Sequence, residues 1–306
     1  MTVDGFLNVD KPTDWTSFDV VAFVRRESGV RRVGHGGTLD PAAEGVLVVA
    51  LGQATRFLEY LLEARKSYRA QVRLGVVTDT YDGEGEVVRT ADPSSVTREM
   101  AESALAGFRG VISQTPPMFS ALKRDGVPLY KHARAKREVE REARAVEVHR
   151  LELVDFASPS FAVEIECGHG FYVRSLANDL GERLGCGAHL EKLTRTAVGP
   201  FERESSVDME ALREAFRDGS WQRLLLPLDS VLLHCHAAIL GERNEGELRF
   251  GRALNLQPAD EGHVRLLSAG TPCRAYSVDG RLLGLLSYAE DAVWQPKKVL
   301  STPQGA

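Results

Sequence analysis

Cysteine is scarce: Cys167, Cys186, Cys235 and Cys273 are the only four in 306 residues, and no two form a CxxC pair. That spacing excludes a disulfide framework and a zinc ribbon, and reads as buried thiols in a reducing cytosol. No apolar run is long enough to span a membrane, and the start MTVDGFLNVD has no signal-peptide core, so a cytoplasmic chain is expected. Neither a GxGxxG fingerprint nor a P-loop occurs, so nothing points to dinucleotide or nucleoside-triphosphate chemistry. Positive charge is short as well. The net charge of −5 argues against a uniformly polyanion-binding surface.

The composition itself, 43% hydrophobic and 26% charged, is that of a soluble globular chain, long enough for two domains. The charge is unevenly spread. Residues 121–150 hold nine Lys/Arg against five Asp/Glu, a local surplus of +4 in an acidic protein.

Residues 5–9 read as an apolar strand stopped before Pro12. Thr16, with Asp19 three residues on, is a capping-box start for a helix to about Arg26. Residues 34–45 carry glycines and Pro41 without periodicity and predict a loop. A buried strand is expected over 46–51 and a helix over 55–62. Tyr68, Ala70, Val72 and Leu74 alternate with polar residues, the period of a half-buried strand. Residues 78–85 form a polar turn, and Met100, Ala101, Ala104, Leu105 and Phe108 have helical spacing. Residues 114–144, with three prolines and many basic side chains, predict an excursion from the core.

Strands resume at 146–154 and 161–167. Val173, Leu176, Ala177, Leu180 and Leu184 then mark a helix with Arg174, Ser175, Asn178 and Asp179 on its other faces. A further helix follows Val207, and 224–226 reads as core. Beyond Leu228, short strands at 263–267, 273–278, 282–288 and 293–300 predict a small all-β module. The fold class is therefore mixed α+β with a β module at its end.

Four segments are chemically suggestive, and each alone has a plain structural reading. Asp40 in the glycine loop 34–41 could be a turn residue. Arg174 at a helix start could be a surface arginine. Tyr68 could be core, and Asp82 part of an Asx turn. His234 and His236 flank Cys235 but have no third donor nearby in sequence, so metal binding is not expected. Trp15, Trp221 and Trp294 read as packing aromatics.

Taken together and in order, the segments resemble the TruB family of tRNA pseudouridine synthases over almost the whole chain. They are Asn8-Val9-Asp10-Lys11-Pro12, the 34–41 loop with Glu44-Gly45-Val46-Leu47, and Leu51-Gly52-Gln53-Ala54-Thr55. Tyr68-Arg69-Ala70, Thr78-Asp79-Thr80 to Asp82, and Ser120-Ala121-Leu122-Lys123 follow. The last are Gly170 to Arg174 with Asp179-Leu180-Gly181, and Leu193-Thr194-Arg195-Thr196. Three positions depart from the family's pattern: Gly36 stands where Thr or Ala is frequent, Asp14 where glycine is usual, and Arg56 where lysine is often found.

The resemblance implies a catalytic domain over 1–230 with a mixed, mainly antiparallel sheet and an RNA-gripping insertion at about 114–144. It implies a PUA-like RNA-binding domain over 235–306. The substrate would be uridine 55 in the T-arm loop of tRNA, handled by a monomer with no cofactor, metal or protein partner. Asp40 would be the nucleophile, Arg174 its partner through a two-pronged contact, and Asp82 the brace of Arg174. Tyr68 would pack on the target base and Leu193 wall it, while His35 fills the gap the base leaves. Lys11 would be structural. Tyr172, Lys123, Lys131, Arg134, Lys136 and Arg137 would contact RNA.

The chemistry suits these residue types. A C–N glycosidic bond is exchanged for a C–C bond to the same base, with no redox change or donor group. One carboxylate can act as nucleophile at sugar or base ring, or assist removal of a ribose proton. Competing readings are an RNA-folding factor, which needs no Asp40–Arg174 pair, and an rRNA-modifying enzyme working with a guide RNA. A hydrolase is more distant, since no water-activating group has a clear place.

Overall fold

The computed structural model describes residues 3–120, 122–124, 126–135, 137, 139–256 and 267–301. The side chains of Lys123 and Arg134, all of Lys136, and most of the strand expected at 263–267 lie outside the described residues.

The N-terminal half opens with β1 (Gly5–Lys11), α1 (Ser17–Ser28), β2 (Val33–His35), β3 (Glu44–Leu51) and α2 (Leu58–Glu63). It continues through β4 (Lys66–Leu74), β5 (Val76–Thr78), β6 (Val87–Thr90), α3 (Arg98–Ala106) and β7 (Gly110–Gln114). The basic excursion holds a small hairpin, β8 (Lys123–Arg124) and β9 (Val127–Pro128), and one short helix, α4 (Leu129–Arg134). The chain returns through β10 (Arg144–Ala157), β11 (Ser160–Cys167), α5 (Val173–Leu184), β12 (Ala188–Val198), β13 (Phe201–Glu202), β14 (Val207–Asp208) and α6 (Met209–Asp218).

Eight strands run in the order β14-β1-β3-β12-β4-β11-β10-β7, with β2 beside β3 and β13 beside β12. Only the β1–β14 and β3–β12 pairs are parallel, so the sheet is mixed and mainly antiparallel. Alternation decides which face is dry. Ala70, Val72 and Leu74 point at α5 and its Leu176, Ala177 and Leu180, while Arg69 and Arg73 stay outside. Helix α1 begins as its sequence demands: the Thr16 hydroxyl accepts from the Asp19 amide, and the Asp19 carboxylate accepts from the Thr16 amide at 2.9 Å.

Several expectations are corrected. The 34–45 segment begins as the end of β2 and enters β3 at Glu44. Residues 52–57 form a 3₁₀ turn before α2, not one helix. Met100 is 44% exposed, because α3 buries the stripe Ala101, Ala104 and Leu105. Leu226 is 36% exposed; its backbone bonds to Phe6 while its side chain faces outward. All four cysteines are free and buried.

The C-terminal sheet is built from β15 (His236–Leu240), β16 (Leu254–Asn255), β17 (Pro272–Ser277), β18 (Leu282–Tyr288) and β19 (Val293–Val299), in the order β15-β17-β18-β19-β16. Among the described residues, one helix, α7 (Glu242–Arg249), accompanies it. This sheet shares a core with the first. Leu285 and Leu300 pack in one cluster with Phe57, Leu61, Val198 and Phe201. Arg56 donates to the Val299 carbonyl at 2.5 Å, and Gln53 and Ser301 bond through the Ser301 amide at 2.7 Å. Truncation after residue 234 is therefore expected to lower stability, because each lost buried leucine costs about 2–5 kcal/mol. Urea unfolding checks this; a truncated protein with the full-length midpoint would show that the shared cluster contributes nothing.

Candidate active site

Asp40 lies between β2 and β3, on a loop whose shape is imposed from several sides. Ser17, on the first turn of α1, accepts from the Leu39 amide at 2.8 Å and donates to the Leu39 carbonyl at 3.1 Å. Lys11 is fully buried, and its ammonium donates to the carbonyls of Pro12, Trp15 and Pro41 at 2.8, 2.6 and 3.3 Å. Burial lowers its pKa to about 8, partly offset by the Asp40 charge. The structural role expected for Lys11 thus has a geometry: it ties the chain before α1 to the residue after Asp40.

Arg195 completes the frame. It is 2% exposed and donates to the Val46, Thr38 and Gly37 carbonyls at 2.8, 3.3 and 3.1 Å. Sequence reasoning noted Arg195 only inside a family motif. A buried guanidinium in a strand of alternating polarity gives no local signal of which loop it holds. Two glycines let the frame close. A Cβ on Gly45, at φ +104°, would lie 2.2 Å from the Arg195 carbonyl oxygen. One on Gly36 would meet the Leu61 side chain at 2.6 Å, so this departure from the family pattern seats the loop against α2.

Arg174 is the hub. It is buried at the start of α5, not on the surface, because the Asp82 turn and the base of the excursion cover it. One guanidinium nitrogen lies 3.0 Å from an Asp40 carboxylate oxygen and the other 3.4 Å from Asp82. This corrects the expected two-pronged grip on Asp40: the fork is shared between two carboxylates. The same guanidinium donates to the Phe119 carbonyl at 2.8 Å and the Thr80 carbonyl at 3.4 Å. Asp82 is held in turn by the Thr80 hydroxyl at 2.5 Å and the Glu84 amide at 3.1 Å. Ser175 donates to the Thr115 carbonyl, and Gln114 clasps the Tyr172 backbone from both sides, at 2.8 and 3.0 Å. The two ends of the excursion's first segment are thereby anchored to the helix that carries Arg174.

Asp40 is the most open of the trio, with 39% of its side chain exposed against 7% for Arg174 and 13% for Asp82. Desolvation raises its pKa, Arg174 opposes this, and the Asp82 charge adds to the rise. One guanidinium does not fully compensate two carboxylates. A carboxylate must be ionised to act as a nucleophile, so a reaction that uses Asp40 in this way is expected to slow on acidification with a midpoint above the usual aspartate value of about 3.9. Single-turnover rates against pH test this, and a limb at or below the ordinary value would overturn it.

Tyr68 projects from β4 beside Arg195 and packs at the edge of the large core cluster; burial raises its pKa. Leu193 packs against the same cluster. His35 is half-buried with its Nδ1 unpaired, and its pKa is lowered by desolvation and by nearby Arg195, so the ring is neutral near pH 7. Tyr172 is the residue that precedes α5, two positions ahead of Arg174, and its side chain makes no capping bond. The structure thus brings Asp40, Arg174 and Asp82 into contact and sets Tyr68 within electrostatic reach of Asp40. Lys131 and Arg137 are exposed on the excursion. His234 and His236 are exposed on either side of buried Cys235.

A mixed sheet carrying an aspartate loop at one end of β3, paired to a helix-borne arginine, defines the class of pseudouridine synthases. Chains of that architecture match closely. One in a Cbf5–Nop10–Gar1 complex aligns at TM-score 0.73 with 24% identity, covering 97% of this chain and 84% of that one. Another, in an H/ACA RNP bound to a substrate RNA containing 2′-deoxyuridine, aligns at 0.74 with 23% identity, covering 97% and 85%. Two family models match in succession: "TruB family pseudouridylate synthase (N terminal domain)" over residues 25–173 and "tRNA pseudouridylate synthase B C-terminal domain" over 174–233. The tRNA pseudouridine synthase B of Dehalococcoides mccartyi (strain CBDB1) is 44% identical over 97% of this chain and 96% of its own. That of Azoarcus sp. (strain BH72) is 43% identical over 99% and 97%. The chain belongs to the TruB family of pseudouridylate synthases.

Proposed function

We propose that this chain isomerises uridine 55 in the T-arm loop of tRNA, with Asp40 as the nucleophile. The observation that carries the reading is the contact of Asp40 with Arg174, a guanidinium that also bonds the base of the basic excursion. The C1′–N1 bond of the uridine breaks, C1′ bonds to C5 of the same base, the C5 proton leaves to water and N1 takes up a proton in its place, and the bond Asp40 makes to sugar or base is broken again before release. Arg174 orients Asp40 and Asp82 braces Arg174. Turning the uridine out of its loop costs roughly a few kcal/mol. Stacking on Tyr68, worth about 1–3 kcal/mol, offsets part of that, with Leu193 walling the base. The neutral, flat His35 ring suits the place the base vacates. An RNA-folding factor without catalysis would have no use for a guanidinium shared between two carboxylates in a cleft.

In this reading residues 1–230 are catalytic and 235–306 form a PUA-like RNA-binding attachment. The excursion, with Lys123, Lys131, Arg134, Lys136 and Arg137, grips the T-arm, helped by Tyr172 at its base. A monomer acts in the cytoplasm without a protein partner, since the basic grip is in the same chain as the catalytic trio. The direct test is release of tritium from C5-labelled uridine in tRNA, with mapping of the product position; tRNA returned unchanged by the folded protein would defeat the reading.

Reversing Arg134, Lys136 and Arg137 to Glu is expected to weaken binding and flatten its salt dependence. Each lost phosphate contact lowers the slope of log affinity against log salt by about 0.7–0.9. Titrations at several salt concentrations measure this, and an unchanged slope would place the grip elsewhere.

A further inference from the structure

We propose that a cleft beside the catalytic loop holds an unstacked guanine of the RNA substrate while the target uridine is at Asp40; this rests on the function proposed above. The cleft measures about 400 Å³ and lies between α1 and α6. That volume is within the roughly 300–1,000 Å³ of small-ligand sites. Trp15 and Phe23 form its floor, in edge contact at 6.3 Å. Arg213 lies 5.4 Å over Trp15 and 5.7 Å over Phe23, and Arg26 lies 5.5 Å over Phe23.

The rim is tied to the catalytic loop twice. The Asp14 amide donates to the Pro41 carbonyl at 3.0 Å, and Lys11 bridges the Trp15 and Pro41 carbonyls. A base in the cleft would therefore sit next to the residue that follows Asp40. Asp14 is held at φ +66°, a conformation that L side chains seldom adopt. Among the described residues its carboxylate has no hydrogen-bond or ion-pair partner, whereas the Asp19 carboxylate is occupied by the Thr16 amide and hydroxyl at 2.9 and 2.6 Å.

The mixture of groups selects the ligand. Two carboxylates at the mouth disfavour a phosphate, despite the two arginines. A nucleobase is flat and neutral and stacks on guanidinium planes and aromatic rings. Guanine alone offers N1–H and N2–H to a carboxylate on one edge and O6 and N7 to a guanidinium on the other. Adenine and cytosine offer a carboxylate one exocyclic amine each.

The test pairs a protein change with a base change. Each guanosine of a T-arm RNA is replaced singly by inosine, which lacks only the N2 amine. At one position the wild-type protein should show a KM raised about tenfold with kcat little changed, the size of a lost base-edge contact. Asp14→Asn, which tolerates the left-handed backbone, should show a similar rise on the guanosine RNA. It should show no further rise with inosine at that position. A wild-type enzyme indifferent to inosine everywhere, or losses that multiply, would overturn the proposal. If the wild type released no tritium from any RNA, the functional reading itself would fall, and this inference with it.

Discussion

Asp40→Asn is expected to stop tritium release from C5-labelled tRNA while tRNA still binds. The amide is nearly isosteric, so the loop held by Ser17, Lys11 and Arg195 is unchanged in shape, and only the proposed nucleophile is lost. Deleting a group that performs the covalent step costs roughly four to six orders of magnitude in other enzymes, and a loss of at least about 10⁴-fold is expected here. Affinity should stay within about tenfold, since the excursion and not Asp40 meets the backbone phosphates in the proposed reading. Stability adds a second readout. A carboxyl whose pKa is raised on folding stabilises the fold below its unfolded pKa, and that contribution is lost as pH rises through the folded pKa. At neutral pH the wild type bears the cost of an ionised Asp40, and Arg174 keeps Asp82 and two carbonyls as partners without it. The variant should therefore melt no lower than the wild type. Turnover near the wild-type rate would sink the nucleophile assignment.

Arg174→Lys should leave the charge in place and lose most of the rate. The guanidinium reaches Asp40 with one nitrogen and Asp82 with the other, and an ammonium has no planar fork with which to span both. A nucleophile misplaced by about 1 Å can lose about a hundredfold in rate, which sets the expected size. Asp82→Ala should cost less, because Arg174 retains the Phe119 and Thr80 carbonyls. Together the two changes should be strongly non-additive, since the brace has nothing to hold once the fork is gone. Single-turnover rates on saturating tRNA measure the cycle. Strict additivity would show that Asp82 acts on something other than Arg174, and a fully active lysine variant would reduce Arg174 to a counter-charge.

Much of the fold was legible because its signals are local. The Thr16–Asp19 capping box and the alternation from Tyr68 to Leu74 follow from backbone geometry over a few residues. The errors fall where local pattern and tertiary packing compete. Met100 has the spacing of a core residue, but the helix turns a stripe of alanines and Leu105 to the sheet instead. Helix α7 went unseen because it buries little besides Leu248 and has no apolar stripe to show.

The sequence by itself determined which groups are available and what reaction they suit: one aspartate in a glycine loop, one arginine at a helix start, and a basic excursion in an acidic chain. Only the tertiary structure decided how they act together. The α5 start, the 78–82 turn and the first segment of the excursion converge on Asp40, and one buried guanidinium is divided between two carboxylates. The same is true of Arg195, which holds the loop from a strand far along the chain, and of Leu285 and Leu300, which merge the C-terminal sheet with the first core. The physical reason is that periodicity reports only which face of an element is dry. Which distant carbonyl or carboxylate meets a buried arginine depends on strand register and crossover, and these are fixed by the packing of the whole sheet.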